Sequence, residues 1–194
     1  VFPPYNAVQI KDILRARSEH AFKKGVLDQG LLEKCAAYAA REHGDARRAL
    51  ELLRVAAEIA ERENSKKVQI KHIDEADRKI ENDRVSEIVK TQPKQFQAVL
   101  YSILSIHLNK RKNPIIFTGE VYDSYRNLCD KTNLRPLTQR RVSEIIAEYD
   151  MIGIINTKII SKGRYGRTKE ITMAINSSLE PKVKEILESS LSYN

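Results

Sequence analysis

The chain has no tryptophan, two cysteines, two methionines and only seven glycines in 194 residues. Glycine this sparse excludes a collagen-like or glycine-rich low-complexity chain. Neither Cys35 nor Cys129 has a metal-ligand spacing beside it, so both read as reduced interior residues rather than parts of a disulfide framework or zinc site. No apolar run approaches the ~18 residues needed to cross a bilayer, which excludes an ordinary transmembrane helix. Val1-Phe2-Pro3-Pro4-Tyr5 carries no cationic leader and no apolar h-region, so a secretory signal is not expected. An initiator methionine is missing as well, and the chain is expected to be a piece of a longer protein.

What is present is charge. Charged residues make up 31% and hydrophobic residues 41%, the balance of a soluble, helix-leaning globular chain of one large domain or two small ones. The net charge of +8 is unevenly placed. Residues 1–90 hold 18 basic and 16 acidic side chains, a net of +2, whereas residues 91–194 hold 16 and 10, a net of +6. A near-neutral half joined to a basic half points to a polyanionic partner for the second half. The plain alternative is a generally basic protein of the kind common in some thermophiles.

Asn6 is placed to cap a first helix over 6–24, with Gln9 at the capping-box position and Val8, Ile10, Ile13 and Leu14 opening an apolar stripe. Gly25 ends it. A second helix is expected over 31–43, stopping at Gly44. Asp45 caps a third over 46–62, in which Leu52, Val55, Ala56 and Ile59 share one face. After the polar break Asn64-Ser65-Lys66-Lys67 a fourth is expected over 72–89. Residues 1–90 thus read as a small all-helical bundle. Thr91-Gln92-Pro93 reads as the boundary, since Pro93 disfavours helix at the residue before it. In 91–194, helices are expected over 94–109, 119–131, 138–149 and 179–190. Residues 151–160 and 170–175 are rich in β-branched side chains and flank a glycine-containing basic loop, which predicts a hairpin. Three helices followed by a two-stranded hairpin is the order of a winged helix.

Thr138, Gln139, Arg140 and Arg141 crowd the first turn of the third of these helices, the end that a recognition helix aims at base edges. Val142, Ile145, Ile146 and Tyr149 form its apolar face. The macrodipole disfavours each arginine there by about 0.3–1 kcal/mol at most, which a phosphate or guanine partner offsets. In the hairpin, Lys162, Arg164, Arg167 and Lys169 stand with no acid from 161 to 169, and Tyr165 adds a planar group for a sugar or phosphate. Gly163 and Gly166 allow a tight turn. Such a wing tracks the DNA backbone or enters the adjacent minor groove. The bland readings, a solvated helix face and a charged turn, stay open for each signal alone, but the two fall where a winged helix meets DNA.

Enzymatic readings fail. The loop at 163–169 lacks the GxxxxGK[ST] spacing of a phosphate loop. His20, His43, His72 and His107 are scattered and read as structural, and no nucleophile or acid–base constellation stands out, so catalysis within this chain is not expected.

Several segments resemble a known family. Phe2-Pro3-Pro4-Tyr5-Asn6 with Ile13-Leu14-Arg15-Ala16-Arg17 looks like the start of the ATPase lid of the archaeal origin-recognition initiators, relatives of the eukaryotic origin-recognition and cell-division-control ATPases. Gly44-Asp45-Ala46-Arg47-Arg48-Ala49-Leu50 looks like their sensor-2 motif. Arg140-Arg141-Val142-Ser143 and Lys162-Gly163-Arg164-Tyr165-Gly166-Arg167-Thr168 look like their recognition helix and wing. The resemblance implies a mainly α chain: a helical AAA+ lid bundle over 1–90 and a winged-helix DNA-binding domain over 91–194. It implies that the intact protein is an AAA+ ATPase using ATP or ADP with Mg, with Tyr5 and Arg17 toward the adenine end and Arg47 toward the terminal phosphates. The share of Arg48 in that role stays open. This chain alone, without the ATPase core, is expected to be no enzyme and to bind no cofactor or metal.

The implied function is that of a replication initiator which binds double-stranded origin DNA and, under ATP control, recruits the replicative helicase. Paralogous initiators are possible further partners, no membrane is involved, and the location is cytoplasmic with nucleoid association. The alternative is a winged-helix transcription regulator with a helical oligomerisation domain. A helical protein-interaction module with an incidental basic hairpin would bind no DNA at all.

Overall fold

The side chain of Asn6 starts the first helix. In the computed structural model, which describes residues 3–42, 44–110, 115–161 and 167–191, Asn6 Oδ1 accepts the Gln9 N–H at 2.9 Å and Gln9 Oε1 accepts the Asn6 N–H at 3.0 Å. Two of the helix's orphan donors are satisfied reciprocally. The helices α1 (Ala7–Ala21), α2 (Leu31–Arg41), α3 (Ala46–Arg62) and the N-terminal half of α4 (Ile70–Thr91) make a first unit that runs to Asn82. Leu52, Val55, Ala56 and Ile59 of α3 are buried with Ile10, Leu14, Leu31, Cys35 and Ile73. Burial pushes the Cys35 thiol up to about 12, which leaves it an inert apolar filler.

α1 stops short of the expected 24, because Phe22 turns extended. The following segment pairs in parallel with the α3–α4 connection. Val68 N–H donates to Val26 O at 2.8 Å, and Asp28 N–H donates to Val68 O at 3.1 Å. A single-residue bridge has no periodic signature and is set only by packing. The buried His72 has a structural role: Nδ1 accepts the Gln69 N–H at 2.8 Å and Nε2 lies 3.2 Å from Glu63.

The second unit starts at Asp83, inside α4, rather than after Thr91. Val85 and Val89 on the last turns of α4 are buried in the second core. Pro93 does end the helix, at the N-cap of α5 (Lys94–Asn109), but a break in a helix is not a break in a core. The elements that follow are β1 (Ile116–Phe117), α6 (Thr118–Thr132), α7 (Gln139–Met151), β2 (Ile155–Ser161), β3 (Arg167–Met173) and α8 (Glu180–Leu191). The three strands form an antiparallel sheet in the order β1-β3-β2, which is the winged-helix arrangement with eight helices in the whole described chain. β1 was not expected: two residues carry no alternation, and they become a strand only because Ile116 meets Ile171.

Residues 151–154 were expected as strand, but α7 continues through Met151. Gly153, at φ +77°, then reverses the chain, with Ile154 N–H donating to Tyr149 O at 3.1 Å. No helix among the described residues is long and apolar enough to cross a membrane.

Candidate nucleic-acid interface

The turn into α7 is held from the α5–α6 side. Tyr125 of α6, fully buried, accepts the Leu137 N–H at 2.9 Å and donates its own proton to Gln95 Oε1. Gln95 Nε2 in turn donates to Arg135 O at 2.9 Å. Burial raises the Tyr125 phenol well above its ordinary value, so the donor stays protonated. Thr138 caps α7, its hydroxyl accepting the Arg141 N–H at 3.4 Å. Val142, Ile145, Ile146 and Tyr149 are wholly buried and so set the rotation of α7 about its axis.

That rotation separates the two arginines. The side chain of Arg140 is 91% exposed and, among the described residues, pairs with Glu144 at 3.3 Å. Arg141 is half as exposed, lies 3.0 Å from Glu144 and 3.6 Å from Glu148, and stacks over the Phe96 ring at 5.7 Å. The Arg141 and Arg140 guanidiniums hold the Glu144 carboxyl below its usual range.

Gln139, Arg140 and Ser143 of α7 line a cleft of about 540 Å³ whose other wall is the hairpin, through Ile159, Thr168 and Lys169. Thr118 and Gly119 at the start of α6 close it. The hairpin reaches the cleft by register. The pairs Ile155–Met173 and Thr157–Ile171 lie on the core side, and alternation continues that face outward as Ile159–Lys169. Arg167 opens β3 opposite Ser161 rather than lying in the loop. Lys162, Arg164 and Tyr165 lie outside the described residues.

In the first unit, Tyr5 is half-exposed and its N–H donates to Gly44 O at 3.2 Å. Gly44 has φ +69°, and a Cβ there would sit 2.4 Å from Tyr5 O. Asp45 caps α3 by accepting the Arg47 N–H at 2.8 Å. Arg47 is exposed and makes no ion pair among the described residues. Arg48 is different, with pairs to Glu42 and Asp77 at 3.0 Å each, so it braces the bundle. Arg17 is placed apart from Tyr5 and Gly44, in a groove beside Leu50, Leu53 and Arg54. Among the described residues no group of three or more His, Cys, Asp or Glu side chains could hold a metal ion.

Residues 87–179 match the family described as the CDC6 C-terminal winged helix domain, and residues 11–78 match the Cdc6 AAA+ ATPase-type lid domain. The chain belongs to the archaeal origin-recognition and cell-division-control family of replication initiators. It is 56% identical over 177 residues to an ORC1-type DNA replication protein of Pyrococcus furiosus, covering 91% of this chain and 42% of the relative. It is 51% identical to ORC1-type DNA replication protein 1 of Archaeoglobus fulgidus, over 95% of this chain and 44% of that protein. The chain therefore spans less than half the length of these curated relatives. A solved structure of Aeropyrum pernix ORC1 in complex with DNA is 47% identical, with a TM-score of 0.85 over 97% of this chain and 48% of that one. Both halves of the chain thus have the lid and winged-helix folds that its motifs imply.

Five cleft residues are not among the contact candidates that the sequence offers: Thr118, Gly119, Ser143, Ile159 and Thr168. Ser143 was findable, lying one turn beyond Gln139 and Arg140 on the same helix face. Ile159 was hidden because an isoleucine in a strand reads as core. Thr118 and Gly119 come from 20 residues earlier in the chain, and only the fold brings them in.

Proposed function

We propose that this initiator chain binds double-stranded DNA with the N-terminal turns of α7 in the major groove and the β2–β3 hairpin on the adjoining backbone and minor groove. The observation that carries the reading is the shared cleft: Gln139, Arg140 and Ser143 on one wall, Thr168 and Lys169 on the other. Arg140 is the base reader, because its guanidinium extends into water while Arg141 is held by Glu144, Glu148 and Phe96. Thr138 and Gln139 position that turn on the backbone. Lys169, with Lys162, Arg164, Tyr165 and Arg167 of the hairpin, contributes phosphate and sugar contacts. The relative whose structure was solved in complex with DNA supports DNA as the ligand.

In the intact protein the first unit acts as the lid over a nucleotide. A bound nucleotide with Mg would supply the charged phosphates for this unit to meet. Tyr5 and Arg17 are assigned to its adenine side and Arg47, with an exposed guanidinium, to its phosphates. Origin duplex is the DNA target, recruitment of the replicative helicase is the output, and paralogous initiators are companions at the origin, in the cytoplasm at the nucleoid.

Fluorescence anisotropy with a selected duplex and a scrambled one, at one fixed salt concentration, tests the DNA reading. Arg140→Ala narrows the gap between the two duplexes by about 1–3 kcal/mol. Arg141→Ala leaves the gap in place. Lys169→Ala weakens both duplexes alike and lowers the log–log salt slope by about 0.9. Equal, salt-insensitive binding by all variants would refute the assignment.

A further inference from the structure

Ile159 does not match its surroundings. The cleft offers it an amide, hydroxyls and cations for neighbours, yet this isoleucine is 66% exposed among them. Ile155 and Ile171, on the same side of the hairpin, are wholly buried. Ile159 stands past the edge of the core, so folding does not use its apolar surface.

Two protrusions that enter adjoining grooves of a duplex straddle the sugar–phosphate strand between them. The cleft between α7 and the hairpin is where that strand passes. Arg140, Lys169 and the hydroxyls of Ser143 and Thr168 suit phosphate oxygens. The hydrocarbon part of a DNA backbone is its deoxyribose, and Ile159 is the apolar side chain in the cleft. We infer that Ile159 packs on a deoxyribose of the strand held there and makes the site discriminate against a 2′-hydroxyl. The inference rests on the DNA-binding reading above. With the cations and hydroxyls of the cleft engaged by phosphate oxygens, a 2′-hydroxyl pressed on Ile159 loses water and gains no hydrogen-bond partner there, and such a group marks RNA for any protein that can sense it.

The test uses the full 194-residue chain and the duplex it enriches from a randomised DNA pool. Each sugar of that duplex is replaced singly by its 2′-hydroxyl or its 2′-fluoro ribo form. Both substituents favour the same sugar pucker, but only the hydroxyl demands a hydrogen-bond partner. At one sugar, or two neighbouring ones, the hydroxyl weakens binding roughly five-fold or more relative to fluorine. Ile159→Ser abolishes that difference, Ile159→Val keeps it, and Lys169→Ala weakens binding at every position while keeping it. Ile159 is exposed, so these variants are expected to keep the fold, and circular dichroism of each checks it. If no sugar separates hydroxyl from fluorine, or if Ile159→Ser retains the separation, the inference is wrong. If the chain enriches no duplex at all, the DNA-binding reading itself falls and takes the inference with it.

Discussion

Asp150, in the last turn of α7, accepts two hydrogen bonds from Thr157 of β2, from the N–H at 2.9 Å and from the hydroxyl at 2.7 Å. A carboxylate near a helix C-terminus opposes the macrodipole, so helix preference does not account for its place. The pair ties the far end of α7 to the base of the hairpin. Both walls of the cleft are thereby held at one spacing.

Asp150→Ala removes that tie and leaves the Thr157 donors without their acceptor. The expected loss is about 1–3 kcal/mol of stability. Affinity for duplex DNA falls as well, because the spacing of the cleft walls is no longer held. Urea titrations and anisotropy on the same variant measure the two effects, and an unchanged affinity would separate the tie from DNA binding.

Gly44→Ala places a Cβ against the Tyr5 carbonyl and forces an alanine into left-handed backbone. About 1–3 kcal/mol of destabilisation is expected, with Tyr5 displaced from the start of α3. The urea midpoint reads the first effect. Quenching of tyrosine fluorescence, compared with a Tyr5→Phe background, reads the second.

A chain cut at 91 loses Val85 and Val89, which are buried in the second core. Each buried valine contributes roughly 1.5–3 kcal/mol. Residues 83–194 are therefore expected to unfold at a higher urea concentration than residues 91–194 and to keep most of the DNA affinity of the whole chain. Equal stability of the two pieces would mean that the end of α4 belongs with the first unit.

Asp74 accepts from Lys34 Nζ at 2.8 Å and from the Tyr38 hydroxyl at 2.8 Å, and these contacts, Lys34 first, hold its carboxyl below the usual value. A carboxyl whose pKa is lowered by folding adds stability above its unfolded value, near 3.8, and loses it as pH falls through the folded value. Asp74→Asn is thus less stable than the parent at pH 7, by no more than about 1 kcal/mol because the pair is partly solvated. The gap closes as pH falls below 3.8. A gap that widened on acidification would reverse the sign assigned to this pair.

Much of this protein was legible in its sequence because its helices announce themselves locally. Asn6 and Asp45 each cap the helix they precede, as read from the sequence, since a short side-chain acceptor satisfies orphan N–H groups wherever it stands. Val142, Ile145, Ile146 and Tyr149 are buried as their 3.6-residue spacing requires. The order of helical bundle and winged helix follows from such local signals, the lid reading from the resemblance of its motifs, and the basic bias of the second half from composition. Other features depended on where distant segments meet. β1 exists only as the partner of β3, and the unit boundary inside α4 was set by which core takes Val85 and Val89. Arg140 and Arg141 are chemically the same side chain at adjacent positions, and spacing gave them equal standing. The burial of the α7 stripe turned one toward the cleft and the other onto Glu148 and Phe96, because roughly 100° of helix rotation separates neighbouring residues.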